Sequence, residues 1–459
     1  MFTTYFQRGR RLLFLFSNNA AGTVLSQVAA LIAIPIQLKF LGVEQFGLLM
    51  LFYSFVAAGS LADLGIGPTV VRFIARTERH RTALQHVISS SFTVILMLAA
   101  VVVLASFFAA WLYEVYKGQI LIAGSLHPYE LTALIAYTVS ASMLMGLGFN
   151  ILRGLGLYWI FGLAETTVRL STVTIVTFAA VISKDPGVTL LAYSVSTSLF
   201  TGILLLYVSK KVGVKFRLTA NLRYFKRKMF HFARWVWAQA FFGFLGSQAD
   251  RLIIAATMNL STLAVYSIAM SVANAVMAGL TAGSGFLLPE AAKRIKDKFW
   301  VAKAYCRYTL LFSAATAFSI AIATPLLHPV LTLWLNENIA LQVLPILLPI
   351  MWTISSAATS IPGTQFMNAV GFTKFGAILG LANNSILLAA LLFAGTIAGL
   401  QGVIGAKLLS IPIGFFARAV TAHHVFGLRN PLWQAFKMVW PTVLGATVIL
   451  PLSWKFLIG

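Results

Sequence analysis

The sequence predicts an all-α polytopic membrane protein with about thirteen transmembrane helices, within bounds of roughly twelve to fourteen. Three observations lead there. Hydrophobic residues make up 59% of the 459 residues and charged residues only 10%, whereas a soluble domain carries about a quarter charged residues. Apolar stretches recur from about residue 19 to the C-terminus, many reaching the ~18–20 residues that a helix needs to cross the hydrocarbon core. Lys and Arg are dense in alternate connections and sparse in the others, as topology signals are.

In order, the spans are 19–40, 45–68, 85–111, 131–152, 157–182, 188–209, 234–257, 261–288, 304–325, 342–366, 375–397, 400–420 and 436–457. The first follows Arg8, Arg10 and Arg11 and is too long for a cleaved signal peptide. The second ends in "SLADLGIGPTVVRFIAR", where Gly65, Gly67 and Pro68 loosen the helix before Arg72 and Arg76. The fourth and fifth meet in "GLGFNILRGLGLYWIFG", a glycine-rich turn without a preceding strand. It suits close helix packing, with Asn150 and Arg153 expected to cap it. The thirteenth is the least constrained, because little charge follows it.

With the N-terminus inside, 27 of the 34 Lys and Arg fall in cytoplasmic segments and four, Lys39, Lys117, Lys184 and Lys455, fall outside. Arg418, Arg429 and Lys437 count among the inner charges. Arg169, Arg251 and Lys407 lie within spans. A missed helix would invert every later loop, so this asymmetry supports the map. The organisation follows: a cytoplasmic segment 1–18, an N-lobe 19–209, a basic linker 210–233, a C-lobe 234–420 and a C-terminal segment 421–459 with one further helix.

The net charge of +23 then reads as topology signal against anionic inner-leaflet lipid. Nucleic-acid binding would need those charges on one soluble face, so no nucleic-acid partner is expected. Seven tryptophans, Trp111, Trp159, Trp235, Trp237, Trp334, Trp433 and Trp454, fall near span ends, where an interfacial belt forms. The single cysteine, Cys306, excludes a disulfide framework. His423 and His424 have no carboxylate or cysteine beside them, so no metal is expected. No phosphate-binding loop motif occurs, so neither an ATP site nor another cofactor is expected.

The chain also reads as doubled. Offsetting it by 217 residues lays 46–76 over 263–293 without a gap, and span ends and basic loops coincide. Parallel six-helix halves are a recurrent transporter design, with the site at their interface.

Three stretches carry a family resemblance: "FLGVEQFGLLMLFYSF" (40–55), "LADLGIGPTVVRFIA" (61–75) and "QADRLIIAATMNLSTLAVYSIAMSV" (248–272). The chain resembles the polysaccharide and O-antigen flippases of the multidrug/oligosaccharidyl-lipid/polysaccharide exporter superfamily. That resemblance covers the first twelve spans and implies two six-helix lobes around a central cavity. It implies an undecaprenyl-diphosphate-linked oligosaccharide as substrate, flipped across a bacterial inner membrane by alternating access. A proton or sodium ion would couple transport, and other polysaccharide assembly proteins would be partners. Members usually have twelve or fourteen helices, so thirteen departs from the pattern.

Ionisable residues inside spans are expensive and face a cavity or a partner. Glu165 and Arg169 sit near the middle of the fifth span at i, i+4 spacing, which puts them on one face. They form either a self-neutralising pair that glues helices or a cavity-lining pair whose arginine meets a diphosphate. Asp250 and Arg251 are adjacent, about 100° apart on their helix, so one turns to the cavity and the other to a neighbour. Lys407 either pairs with Asp250 or adds a cation to the cavity. Arg153 is placed where it meets headgroups or substrate. The expected substrate-binding residues are thus Arg169, Arg251, Lys407 and Arg153, and the coupling or gating residues Glu165, Asp250 and Asp63. Asp63 is expected to bond Arg72 or helix-end donors at the inner end of the second span. Glu290, after Pro289, is expected to do the same at the eighth.

Two other readings compete. A cation-coupled multidrug antiporter of the same superfamily would favour acidic or aromatic lining. A membrane polysaccharide polymerase or acyltransferase would carry catalytic residues in a large outer loop. The largest one here, 112–130, offers only Glu114, Lys117, His127 and Glu130. No enzymatic activity is therefore expected.

Overall fold

The computed structural model describes residues 2–77, 81–117, 127–219, 229–284 and 296–451, together with residues 222, 225, 287, 291 and 294. The described residues form helices joined by short turns. In chain order they are α1 (Phe2–Leu41), α2 (Val43–Gly59), α3 (Ile66–Thr77), α4 (Arg81–Lys117), α5 (Pro128–Gly154), α6 (Tyr158–Ser183), α7 (Pro186–Val212) and α8 (Phe230–Thr257). There follow α9 (Leu260–Gly283), α10 (Lys298–Trp334), α11 (Glu337–Ala358), α12 (Ser360–Val370), α13 (Thr373–Leu408), α14 (Ser410–His424) and α15 (Pro431–Leu444).

Ten helical segments among the described residues are long and apolar enough to cross a membrane, and the chain is a multi-pass membrane protein. Each of the thirteen expected spans overlaps helix among the described residues; residues 285, 286 and 288 at the end of the eighth lie outside them. The thirteenth is α15, continued by a π-helical turn Gly445–Ile449; its expected end at 452–457 lies outside the described residues, as do Glu290 and most of the outer loop after Lys117. Helix α1 starts at Phe2, so the segment expected to precede the first span is already helical.

The chain divides into two compact units, Met1–Phe244 and Leu245–Gly459, the boundary falling inside α8. Each has its own apolar core. In the first, Ile66, Val70, Ile74, Val87, Ile88, Leu147 and Ile151 pack together. In the second, Tyr305, Phe366, Ala422, Ala435 and Met438 do so. The doubling is visible in the helix lengths: α4 and α10 are each 37 residues, and α10 begins and ends 217 residues after α4.

The second span is not one helix. A 3-10 turn, Ser60–Asp63, follows α2, and Leu64 then adopts a left-handed conformation with φ 48°. The cause is Asp63. Its carboxylate accepts the Gly65 N–H at 2.8 Å and the Gly67 N–H at 3.3 Å, satisfying donors that the first turn of α3 leaves open. Pro68, within that turn, lacks only a donor that would be unpaired. Trp237 of α8 donates its indole N–H to Leu61 O at 2.8 Å, so it braces the break. Asp63→Ala is expected to lower stability by about 1 kcal/mol, read as a lower melting temperature in detergent, while Asp63→Asn retains most of it.

Spans eleven and twelve meet at Gly399, whose φ 56° and ψ −136° suit the first central position of a type II′ turn. The hairpin is tight: a Cβ on Gly402 would come within 1.9 Å of Ala394 O. Gly399→Ala is expected to destabilise by about 1–3 kcal/mol, measured the same way.

The thirteenth span is held by more than apolar packing. Thr442 bonds Ser313 of α10 at 2.8 Å and Ser355 of α11 at 3.0 Å. Gly445 lies flat on the buried Trp352 ring, where a Cβ would approach Trp352 to 1.9 Å.

Candidate substrate and coupling sites

The structure sorts the expected site residues into two clusters, one in each unit. The first forms where the turn after α5 folds α6 back along α5. Gly156, with φ 70°, lets the chain reverse, and Leu157 N–H returns to Leu152 O at 2.9 Å. The expected cap does not form, because Asn150 donates to Gly146 O at 2.8 Å. Arg153 instead lies over the Phe161 ring at 3.9 Å and faces Glu165 at 3.9 Å. Arg169 pairs with Glu165 at 2.8 Å. Two cations thus share one carboxylate.

Helix periodicity shows which way this cluster turns. Glu165 precedes the buried Val176, and Arg169 the buried Ala180, by eleven residues, three turns on the same face. Phe178, 65% exposed, is nine residues from Arg169 and therefore opposite it. Leu163, Phe178 and Ile182 form the apolar stripe that suits lipid, and the charges occupy the protein side. They are nevertheless accessible, with 49% of the Arg169 side chain and 43% of Arg153 exposed. Beside them is a small polar cleft lined by Gly22, Thr23, Ser26, Thr166, Glu165 and Arg169. Accessible charge on a protein-facing surface in mid-span is the arrangement that a water-filled pathway requires.

The second cluster lies in unit 2. Asp250 of α8 is fully buried and pairs with Lys407 Nζ at 2.7 Å. It also accepts the Tyr266 hydroxyl from α9 and the Arg251 backbone N–H at 2.9 Å. Lys407 additionally donates to Gly246 O at 3.4 Å. Arg251 points elsewhere and donates from its guanidinium to Gln248 at 3.3 Å; the expectation that one of the two adjacent residues faces the cavity is not met, since neither lines the cavity beside Lys407. The Arg251 Nε is buried without a hydrogen-bond partner among the described residues.

Lys407 lines a cavity of about 350 Å³ whose polar wall includes Asn274, Asn383, Asn384, Ser410 and Arg418. Arg251 is not part of that wall. Arg418 is. It was counted with the cytoplasmic charges, but it is 5% exposed within α14, where its guanidinium donates to Ser356 O. Its side chain reaches back a turn, close enough that a Cβ on Gly414 would meet Nη1 at 2.8 Å. The missed signal is spacing. Lys407, Ser410, Gly414 and Arg418 recur at i, i+3, i+7 and i+11, one stripe on a helix. Tyr266 was quoted in a motif without a role; nothing in its local sequence marks it as a carboxylate partner.

Asp63 belongs to neither cluster. Its carboxylate is engaged by the backbone at the break before α3.

Solved structures and a sequence family resemble this chain, while no curated protein sequence matches it. The lipid II flippase MurJ in an inward closed conformation superposes with a TM-score of 0.68 at 13% identity, covering 97% of this chain and all of that one. A multidrug resistance MATE transporter in an inward-facing conformation gives 0.65 at 14% identity, covering 91% of this chain and 96% of that one. A transporter of the same MOP superfamily from Pyrococcus furiosus gives 0.55 at 13% identity, covering 88% and 96%. At such identities these likenesses establish a shared fold. The family of polysaccharide biosynthesis proteins matches residues 16–289, more than half of the sequence, and the chain belongs to that family.

Proposed function

We propose that the protein flips an undecaprenyl-diphosphate-linked oligosaccharide from the cytoplasmic to the periplasmic leaflet of a bacterial inner membrane by alternating access. The glycan would serve O-antigen, exopolysaccharide or capsule export. The observation that carries this reading is the cationic excess on protein-facing surfaces: Arg153 and Arg169 around one carboxylate, and Lys407 with Arg418 along one cavity. A diphosphate is prohibitively expensive to desolvate without compensating charge, and arginine forks suit its oxygens. MurJ, whose fold this chain shares, is a lipid II flippase, which supports a lipid-linked substrate.

In this reading Arg169, Arg153, Lys407 and Arg418 supply the positive charge, and Arg251 adds its charge from outside the cavity wall, where it bonds Gln248. Glu165 and Asp250 couple transport to a proton or sodium gradient. Asp63 shapes the inner end of the second span, which gates the pathway. The lipid bilayer and other polysaccharide assembly proteins complete the set of partners. A multidrug antiporter would bind cationic substrates, which the cationic surplus repels. A polymerase or acyltransferase is disfavoured because the carboxylates flanking the outer loop are engaged. In the outer loop Glu130 is spent in a capping box on His127 N–H at 3.0 Å, and Glu114 faces His127 at 3.7 Å.

Two measurements test the proposal. Mass spectrometry of purified protein should find a co-purified polyprenyl diphosphate glycan, and deletion of the gene should accumulate unflipped lipid-linked sugar on the cytoplasmic side. Normal surface polysaccharide and no accumulation would refute it. Reporter fusions at Lys215 and Lys303 should read cytoplasmic and at Asn336 periplasmic; a periplasmic signal at Lys215 would overturn the orientation.

A further inference from the structure

Lys407 belongs to two structures at once. Its ammonium is the cation of a fully buried carboxylate, and the same side chain lines the polar cavity. Arg418, the cavity's other cation, is nine-tenths buried, and its Nε has no hydrogen-bond partner among the described residues. Apart from Lys407 and Arg418, the cavity wall contains neutral residues only, with three asparagines and several serines among them. An anion entering this space therefore meets two cations, Lys407 already paired with a carboxylate and Arg418 held, among the described residues, only by the neutral Ser356.

We propose that Asp250 and the anionic ligand compete for Lys407, so that anion binding in the unit 2 cavity is linked to proton uptake by Asp250. The proposal rests on the reading of this cavity as a diphosphate site. The physical reason is the cost of an unpaired buried charge. When Lys407 swings towards an anion, Asp250 loses its cation while staying sealed from solvent, and a buried carboxylate left without a cation is strongly unfavourable. Protonation removes that charge and leaves a neutral acid that still hydrogen-bonds Tyr266. The balance is simple: one proton from solvent joins one carboxylate oxygen, and no covalent bond to the ligand forms or breaks. Among the described residues, the titratable or charged groups facing Asp250 are Lys407 from α13, Tyr266 from α9 and Arg251 on its own helix. Arg251 keeps its guanidinium on Gln248, so it does not replace Lys407.

The sign follows from linkage. Binding that takes up a proton strengthens as pH falls, by at most about tenfold per pH unit for one proton. The probe is P1,P2-dimethyl diphosphate, a dianion whose charges do not titrate near neutral pH. Calorimetry on the full chain in nanodiscs, in buffers of different ionisation enthalpy, reads both affinity and protons taken up. Wild-type protein should bind more tightly at acid pH and take up close to one proton per anion. Asp250→Asn should bind at least as tightly at alkaline pH with no pH dependence, and adding Lys407→Gln to Asp250→Asn, which leaves no buried carboxylate stranded, should lose most of that affinity. If Asp250→Asn does not fold, the proton count on wild-type protein and a weakened pH dependence in Tyr266→Phe still decide the matter. Binding without proton uptake would overturn the linkage and leave the flippase reading intact. Absence of diphosphate binding at any pH, or equal binding by Asp250→Asn with and without Lys407→Gln, would overturn the site itself. Failure of the flippase reading would appear separately, as normal surface polysaccharide after gene deletion.

Discussion

Lys407→Ala is expected to remove most of the folded protein from the membrane. The substitution strands Asp250, whose side chain is fully buried and whose ammonium partner among the described residues, at 2.7 Å, is gone. Breaking a buried pair from one side costs about 3–5 kcal/mol, against a typical total stability of about 5–15 kcal/mol. The Tyr266 hydroxyl and the Arg251 backbone N–H soften the loss without supplying charge. Asp250→Ala should be milder, because Lys407 keeps Gly246 O and borders the cavity. Replacing both residues with apolar ones, Asp250→Leu with Lys407→Met, should restore abundance, since an apolar pair of similar volume is often as stable as the ion pair. That double variant should still fail to transport. Size-exclusion profiles and melting temperatures of purified protein report the first half, and complementation reports the second. Wild-type abundance of Lys407→Ala would show that the pair contributes little.

Exchanging Arg169 and Glu165 should give folded protein that does not flip its substrate. The pair is half accessible, so its contribution to stability is small and the swap is tolerated. Transport is another matter. In the swapped protein an arginine at position 165 faces Arg153, which lies 3.9 Å from Glu165 in the wild type, and the fork at position 169 is lost. A charged hydrogen bond is worth about 1.5–3 kcal/mol, so Arg169→Ala should slow flipping by roughly ten- to hundred-fold. Arg169→Lys keeps the charge but not the bidentate geometry and should retain partial activity. Restored transport in the swap would reduce the pair to helix glue.

Much of the fold was legible because hydropathy and charge are read along the chain. An apolar run long enough to span needs no knowledge of its neighbours, and the loop charges orient it against the bilayer. The boundary between spans eleven and twelve is expected at 397–400, and the structure puts the reversal at Gly399 within it. The break at Asp63 was harder. Its glycines signalled a loosened helix end, but which donors its carboxylate would take depended on the backbone path, and these proved to be Gly65 and Gly67 rather than a side chain.

Sequence by itself determined the membrane class, the thirteen spans, the doubling at 217 residues and the shared face of Glu165 and Arg169, all consequences of local spacing. Only the tertiary structure decided how charges meet across helices. It brought Arg153 to Glu165 by folding a turn, seated Lys407 on Asp250 from a distant helix, and drew Arg418 into a cavity wall although its position near a span end resembled a loop cation. The physical reason is that a buried charge must be compensated by whatever lies nearest in space. In a bundle of helices, that neighbour is set by packing between segments far apart in the chain, which no local pattern encodes.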